Sequence, residues 1–226
     1  MNVFELGAVS KSQMDFQGLD MMVKGGMARY AFDIGSTIKF NLKNGREVVA
    51  RAVDFDVYRE HEVIFVMEDI YWTHRMNRRD TNAGGWAHSE MADYMDEILR
   101  EFPDELAAII KPRTIQQNIG GTVYERTSAL WVPSIIEMGD NAIGRRRGEY
   151  QAIDVDNKQF EWFKTPRNRI KSLDLEDGSK ESTYPYWERS PVAAGSAGFV
   201  YVASGGNPNY GSNASGALGV VVGFSI

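Results

Sequence analysis

Alternation of apolar and polar positions marks a β-hairpin early in the chain. Ile38-Lys39-Phe40-Asn41-Leu42 alternates with period two, Asn44-Gly45 offers the two residues of a type I′ turn, and Val48 to Phe55 returns. Glu62 to Glu68 follows, dominated by Val63-Ile64-Phe65-Val66-Met67, and three sequential strands joined by short turns predict an antiparallel sheet. The period then changes. Met91, Tyr94, Met95, Ile98, Leu99 and Phe102 recur at helical spacing on one face, with Ser89 as N-cap and Pro103 as stop. Residues 103–110 predict a second, shorter helix, with Asp104 and Glu105 at the positive end of its dipole. Thr122 to Val132 reads as extended, and Ser134 with Glu137 forms a capping box for a helical turn broken at Gly139.

Residues 140–182 are polar and aperiodic, interrupted by Phe160-Glu161-Trp162-Phe163. Residues 1–35 are rich in Met and Gly, with Lys24-Gly25-Gly26 as a break, and read as an irregular arm or edge strand. That leaves residues 36–226 as one domain. Strands, then helices, then long irregular loops and further strands predict an α+β fold with antiparallel sheets and two helices.

The pattern departs furthest from the ordinary at Ser190 to Ile226, which contain no Asp, Glu, Lys, Arg or His. A soluble chain of that length carries roughly nine charges. Gln, Met and Trp are missing too, yet Val220-Val221-Val222-Gly223-Phe224-Ser225-Ile226 reads as a buried strand. Two readings fit. The stretch fills a sheet, with Gly and Asn in its turns, or it forms a recognition surface. Tyr provides contact area at low entropic cost, and Ser, Gly and Asn provide adaptable hydrogen bonding.

Composition narrows the chemistry. With 43% hydrophobic and 12% aromatic residues the chain is globular, and 226 residues bury a sizeable core. Zero cysteines exclude a disulfide scaffold, a thiol nucleophile and thiolate zinc sites, and His61, His74 and His88 leave little for a metal cluster. No cofactor is expected. A net charge of −6 argues against nucleic acid as partner. The basic island Arg145-Arg146-Arg147, Lys164, Arg167, Arg169 and Lys171 is interleaved with Glu149, Asp154, Asp156, Asp174, Glu176 and Asp177, a mixed-charge surface. No apolar run is long enough to span a bilayer, and Met1 to Leu6 lacks the basic and apolar regions of a secretory signal.

Individual motifs are weak. Gly205 to Gly211 is glycine-rich but opens no helix and has no following Lys-Ser/Thr pair, unlike a phosphate loop. Asn213-Ala214-Ser215 matches a short glycosylation sequon, and no Gly-x-Ser-x-Gly elbow occurs. Asp54, Asp56, Glu60 and Glu62 alternate on strands rather than line a calcium loop. Trp86 and Trp187 read as core. Arg189 reads as a buried arginine that needs partners.

The order of motifs carries a resemblance. Asn82-Ala83-Gly84-Gly85-Trp86 runs into the helix with Ser89 and Met91, and Trp131-Val132-Pro133-Ser134 precedes Glu137. Tyr186-Trp187-Glu188-Arg189-Ser190-Pro191 leads to Phe199, Val202 and Gly206, and the chain closes on Gly219-Val220 and Gly223-Phe224-Ser225-Ile226. Over roughly residues 35–226 this resembles bacterial and phage domains with a C-type-lectin-like fold, related to the formylglycine-generating enzymes. Some of these are target (variable) proteins of diversity-generating retroelements. In such proteins a C-terminal variable region, here 187–226, is rewritten by adenine-directed mutagenesis. Randomised asparagine codons cannot yield Lys, Glu, Gln, Met or Trp, and Ser190 to Ile226 contains none of them.

The resemblance implies a fixed scaffold of Trp187, Arg189, Ser190, Phe199, Val202, Gly206, Ala214, Gly219, Val220, Gly223 and Phe224. It implies that Val192, Gly195, Ala197, Gly198, Tyr201, Ala203, Ser204, Asn207, Asn209, Tyr210, Gly211, Asn213 and Gly216 are displayed to a ligand. Two departures matter. The absence of cysteine removes the copper-and-thiol chemistry of the formylglycine-generating enzymes. Asn207-Pro208-Asn209 lacks the carboxylate of sugar-binding lectin triplets, which disfavours calcium-dependent sugar binding. The implied function is non-enzymatic recognition of a protein or other macromolecule on a cell surface, from a phage tail or bacterial surface, with no nucleic acid and no membrane insertion. A homo-oligomer is compatible with it. The alternative is a structural tail or virion component whose neutral tail is a subunit interface.

Overall fold

Hydrophobic strands from the two ends of the sequence meet in the middle of this molecule. The structure, a computed structural model, describes residues 3–5, 13–139, 150, 153–155, 158–175 and 177–226, with residues 3–5, 13 and 14 described by backbone alone. β1 (Val3–Glu5) and β2 (Gln13–Asp15) pair antiparallel. The Asp15 carboxylate then accepts from Gly18 N–H at 2.7 Å and caps α1 (Phe16–Lys24). Where an irregular arm or edge strand is expected, the chain forms this strand pair and then a helix. Phe16, Leu19 and Val23 line one helical face and are buried in the core. α2 (Ala28–Ala31) is one turn.

β3 (Thr37–Asn41) and β4 (Glu47–Phe55) form the expected hairpin, but not its expected turn. Gly45 N–H donates to Leu42 O at 2.8 Å and Leu42 N–H to Arg46 O at 2.8 Å. Gly45 has φ 89° while Asn44 keeps a negative φ. The loop is therefore three residues long, a type I turn closed by a left-handed glycine. β5 (Val63–Met67) pairs with β4, and every one of its residues is buried.

After β6 (Trp72–Arg75), a 3-10 turn at Gly85–His88 leads into α3 (Glu90–Glu101). The Ser89 hydroxyl accepts from Ala92 N–H at 3.1 Å, and Met91, Met95, Ile98 and Phe102 turn inward as the spacing predicts. α4 (Asp104–Ala107) is shorter than the predicted 103–110. β7 (Arg113–Ile119) and β8 (Thr122–Ser128) form a hairpin of which only the second strand was expected. α5 (Ile135–Met138) opens on the Ser134–Glu137 capping box. Two 3-10 turns, Glu161–Lys164 and Pro166–Arg169, precede the pair β9 (Leu173–Asp174) and β10 (Lys180–Glu181). Arg145, Arg146 and Arg147, with Glu149, Asp156 and Glu176, lie outside the described residues.

The remaining chain is β11 (Tyr186–Pro191), β12 (Gly198–Val202), β13 (Tyr210–Asn213), β14 (Ala217–Val220) and β15 (Gly223–Ser225). They build a five-stranded sheet in the order β13-β12-β11-β14-β6 and complete a four-stranded sheet in the order β15-β5-β4-β3. Within these two sheets pairing is antiparallel except between β11 and β14, where Tyr186 lies beside Gly219 in parallel register. The neutral tail thus enters both sheets. Phe224 stacks on Phe65 with centroids 5.5 Å apart and meets the edge of Phe102 at 5.9 Å, which joins β15, β5 and α3. The architecture is mixed α+β with several antiparallel pairings and few helices. Among the described residues no helix is long and apolar enough to cross a membrane.

Because Phe224 is buried completely at the junction of two strands and a helix, Phe224→Ala is expected to cost about 3–5 kcal/mol of stability, measured by urea unfolding.

Candidate functional site

Burial sorts the tail into two sets. All eleven residues assigned to a fixed scaffold, from Trp187 to Phe224, are buried. Of the residues expected to be displayed, Gly195, Ser204, Tyr210, Gly211 and Asn213 are exposed, and Val192, Ala197, Tyr201, Ala203, Asn207 and Gly216 are half-buried. Two expectations are corrected. Gly198 is buried, and a Cβ there would sit 2.1 Å from the Ser212 carbonyl, so the position admits no side chain. Asn209 is only 8% exposed and belongs to the packed base of its loop.

The exposed positions follow one edge. β13 is the outer strand of its sheet, and Tyr210 pairs with Tyr201 of β12, their rings 5.8 Å apart. Loops 192–197 and 214–216 lie at one end of this edge, where Asn213 pairs with Gly198. Loop 203–209 lies at the other end. Val192 reaches the back of β13, packing with Ile135, Ile136, Tyr150 and Val200, and approaches Gly211.

Each loop is held by a residue outside the tail. The Asn82 amide Nδ2 donates to Gly195 O at 2.8 Å, Gly198 O at 2.9 Å and Val192 O at 3.3 Å, while Asn82 N–H donates to Ser196 O at 2.9 Å. Arg169 Nε donates to Gly206 O at 2.9 Å. The Asp80 carboxylate accepts from Asn213 Nδ2 at 3.1 Å and from the Ser215 N–H and hydroxyl at 3.1 and 2.5 Å. Sequence reasoning missed Asp80 and these roles of Asn82 and Arg169, because they lie far away in sequence. The one visible signal was the Asn82 to Trp86 motif, which gave an order of elements but not a contact.

Beneath the face lies a buried charge cluster. The Glu137 carboxylate accepts from Arg189 Nη1 at 2.6 Å and Nη2 at 2.9 Å, from Arg113 Nη2 at 2.8 Å, from Ser134 N–H at 2.8 Å and from the Tyr58 hydroxyl. The Arg113 guanidinium is stacked between the rings of Tyr58, at 4.0 Å, and Trp131, at 4.4 Å. Burial pushes the Glu137 carboxyl up, but Arg113, Arg189 and the Tyr58 hydroxyl outweigh it and hold the group at about 2. These are the partners that the buried Arg189 requires. Beside them, Asp154 accepts from the Ser190 hydroxyl at 2.5 Å and from Gln117 Nε2 at 2.6 Å.

Other candidate chemistry is engaged locally. Asp54 pairs with Lys158 at 2.9 Å and accepts from Glu161 N–H at 3.1 Å, Asp56 pairs with Arg29 at 2.8 Å, and Glu62 accepts from Tyr58 N–H at 3.1 Å. Among the described residues no three His, Asp or Glu side chains gather as a metal site. At the far edge of the same sheet, β6 and α3 enclose an open cleft of about 400 Å³ lined by His74, Arg75, Arg78, Glu90, Asp93, Tyr94 and Glu97. Its charges largely satisfy one another. Glu90 faces Arg75 at 3.3 Å and Arg78 at 3.5 Å, and Asp93 faces Arg126 at 2.6 Å. His74 stacks on Tyr94 at 4.1 Å and donates from Nδ1 to Arg75 O at 2.6 Å.

Removing the Glu137 charge would leave two buried guanidiniums facing each other. Glu137→Gln is therefore expected to cost about 3–5 kcal/mol at neutral pH. Since the folded-state value lies below the ordinary 4.5, this stabilisation is complete above pH 4.5 and drains away as pH falls toward 2. Urea unfolding across that window should show wild type losing stability faster than the variant.

No curated protein and no solved structure is found to match this chain. Residues 61–226, which include β5 and the whole tail, match the domain of unknown function DUF6273, and the chain belongs to that family.

Proposed function

We propose that this chain is a recognition protein of C-type-lectin-like architecture whose exposed tail face binds a macromolecule on a cell surface. In this reading it is the variable protein of a diversity-generating retroelement, displayed on a phage tail or a bacterial surface, and it performs no catalysis. One observation carries the reading: the uncharged tail separates into a fully buried scaffold and an exposed rim of small polar residues and tyrosines. A tail that only filled a sheet has no need of Tyr210 at 48% exposure beside Tyr201. The tyrosine pair offers rigid contact area, and the exposed Ser204 offers hydrogen bonding beside it.

Fluorescently labelled protein is expected to adsorb to at least one strain in a panel of bacterial cells. The double variant Tyr201→Ala/Tyr210→Ala should weaken adsorption by roughly tenfold or more while circular dichroism shows the fold retained. Adsorption that ignores both substitutions would sink the reading. At the DNA level, the locus should hold a near-copy of the codons for residues 187–226, differing only at adenines, beside a reverse transcriptase gene.

A second reading has its own support. β13 is an edge strand carrying an exposed tyrosine, and such edges pair with other chains. If the tail is a subunit interface, light scattering should show an oligomer that Tyr210→Glu dissociates. An oligomer that persists favours the display face.

A further inference from the structure

The three loops of the face are gripped in two different ways. The hydrogen bonds from Asn82 to loop 192–198 all go to main-chain atoms, the carbonyls of Val192, Gly195, Ser196 and Gly198. Two further main-chain bonds close the loop on itself, Val192 N–H to Gly198 O at 3.0 Å and Gly195 N–H to Val192 O at 3.3 Å. Ala193, Ala194, Gly195 and Ser196 are exposed, and no side chain of theirs takes part. Loop 203–207 is built alike. Ala203 N–H donates to Asn207 O at 2.9 Å, Gly206 N–H donates to Ala203 O at 2.8 Å, and Arg169 holds Gly206 O. The Asn207 side-chain oxygen has no hydrogen-bond partner among the described residues, so that amide does not support the loop.

The hairpin at 213–216 differs. Asp80 holds it through the Asn213 amide and the Ser215 hydroxyl, which are side-chain groups, as well as through Ser215 N–H. Those hydrogen bonds hold the Asp80 carboxyl below its ordinary range. Between the two gripped residues, Ala214 is buried, accepting from Asn77 N–H at 2.9 Å and donating to Ala197 O at 2.9 Å.

We infer that Asn82 and Arg169 are positioning residues that fix two binding loops independently of the side chains those loops carry, whereas Asn213 and Ser215 are part of the frame. The inference deepens the recognition reading, and rests on it for its purpose. It divides the face into a replaceable part, residues 193–197, 203–205 and 207 with Tyr210, and a part that specifies its own shape, to which the buried, left-handed Gly206 also belongs. Any residue with a carbonyl satisfies Asn82. Only a side chain with a hydrogen-bond donor of matching reach satisfies Asp80 at position 213. A carboxylate placed at 82 would face three carbonyls without a proton to offer.

Amide hydrogen exchange tests this without any ligand. The variant Ala193→Tyr/Ala194→Ser/Ser196→Tyr should melt within about 2 °C of wild type and keep the protection of the Val192 and Gly195 amides. Asn82→Asp should speed exchange of those two amides by at least roughly tenfold, with β5 amides unchanged; a role in global stability alone would speed both. Asn213→Ala and Ser215→Ala, at exposed positions, should speed exchange of the Gly216 amide, which is bonded to Asn213 O at 3.1 Å. They remain informative even if the Asn82 variant fails to fold. Loss of protection in the triple variant, or unchanged protection in Asn82→Asp or in the Asn213 and Ser215 variants, overturns the inference. Failure of cell adsorption with these exchange results intact would instead remove the recognition reading and leave the positioning roles standing.

Discussion

The fold is organised around one buried carboxylate. Glu137 sits between the guanidiniums of Arg113 and Arg189, and each of its partners comes from a different part of the chain. Arg113 belongs to the β7–β8 hairpin, Arg189 to the middle of the five-stranded sheet, Tyr58 to the connection between β4 and β5, and Ser134 to the start of α5. Three buried charges carry a large desolvation penalty, which only dense and well-aimed hydrogen bonding offsets. That requirement is directional. An apolar core would tolerate sliding of the hairpin against the sheet, whereas five donors on one carboxylate fix where each element stands. Trp131 completes the arrangement by presenting its ring to both arginines, at 4.4 and 5.7 Å.

That fixed centre explains how a tail so poor in charge can stay ordered. The tail brings no ionic anchors of its own, and takes its position from Arg189 at its entrance and from β5 and β6 on either side. Between these anchors the chain needs only apolar residues pointing inward and main-chain hydrogen bonds along its strands. Outward positions are then released from structural duty, except where Asp80 reaches over to Asn213 and Ser215. Small neutral residues suit such positions, since they neither disturb the sheet nor dictate what meets it.

Local chemistry in the sequence foretold much of this. The β3–β4 hairpin, β5, the apolar face of α3 with its Ser89 cap, and the α5 capping box all follow from spacing within a few residues. The inward set of the tail coincides with the scaffold positions that the resemblance implies. What was hidden depends on contacts between distant residues. In α1, Gly18 and a run of methionines obscure the spacing of Phe16, Leu19 and Val23, and the helix is secured by a core that forms elsewhere. The Asn44-Gly45 turn was misread because its type is set by the register of the strands. Asn209 and Gly198 look like surface residues until the neighbouring strand is placed beside them. The parallel pairing of β11 with β14 has no local signature.

The topology also bears on how the chain acquires its structure. β6 pairs with β14, and β5 with β15, so neither sheet has all its strands until residues 217–225 have been made. During synthesis β5 waits with one edge open and its fully apolar face uncovered. Closing such distant pairings is slow compared with forming hairpins or helices, and the waiting intermediate is prone to stick to other chains. A protein whose two sheets close on residues 217–225 therefore completes its core through that segment. The inward residues of that segment work as a clasp on both sheets, and sequence drift in them would surface as poor yield.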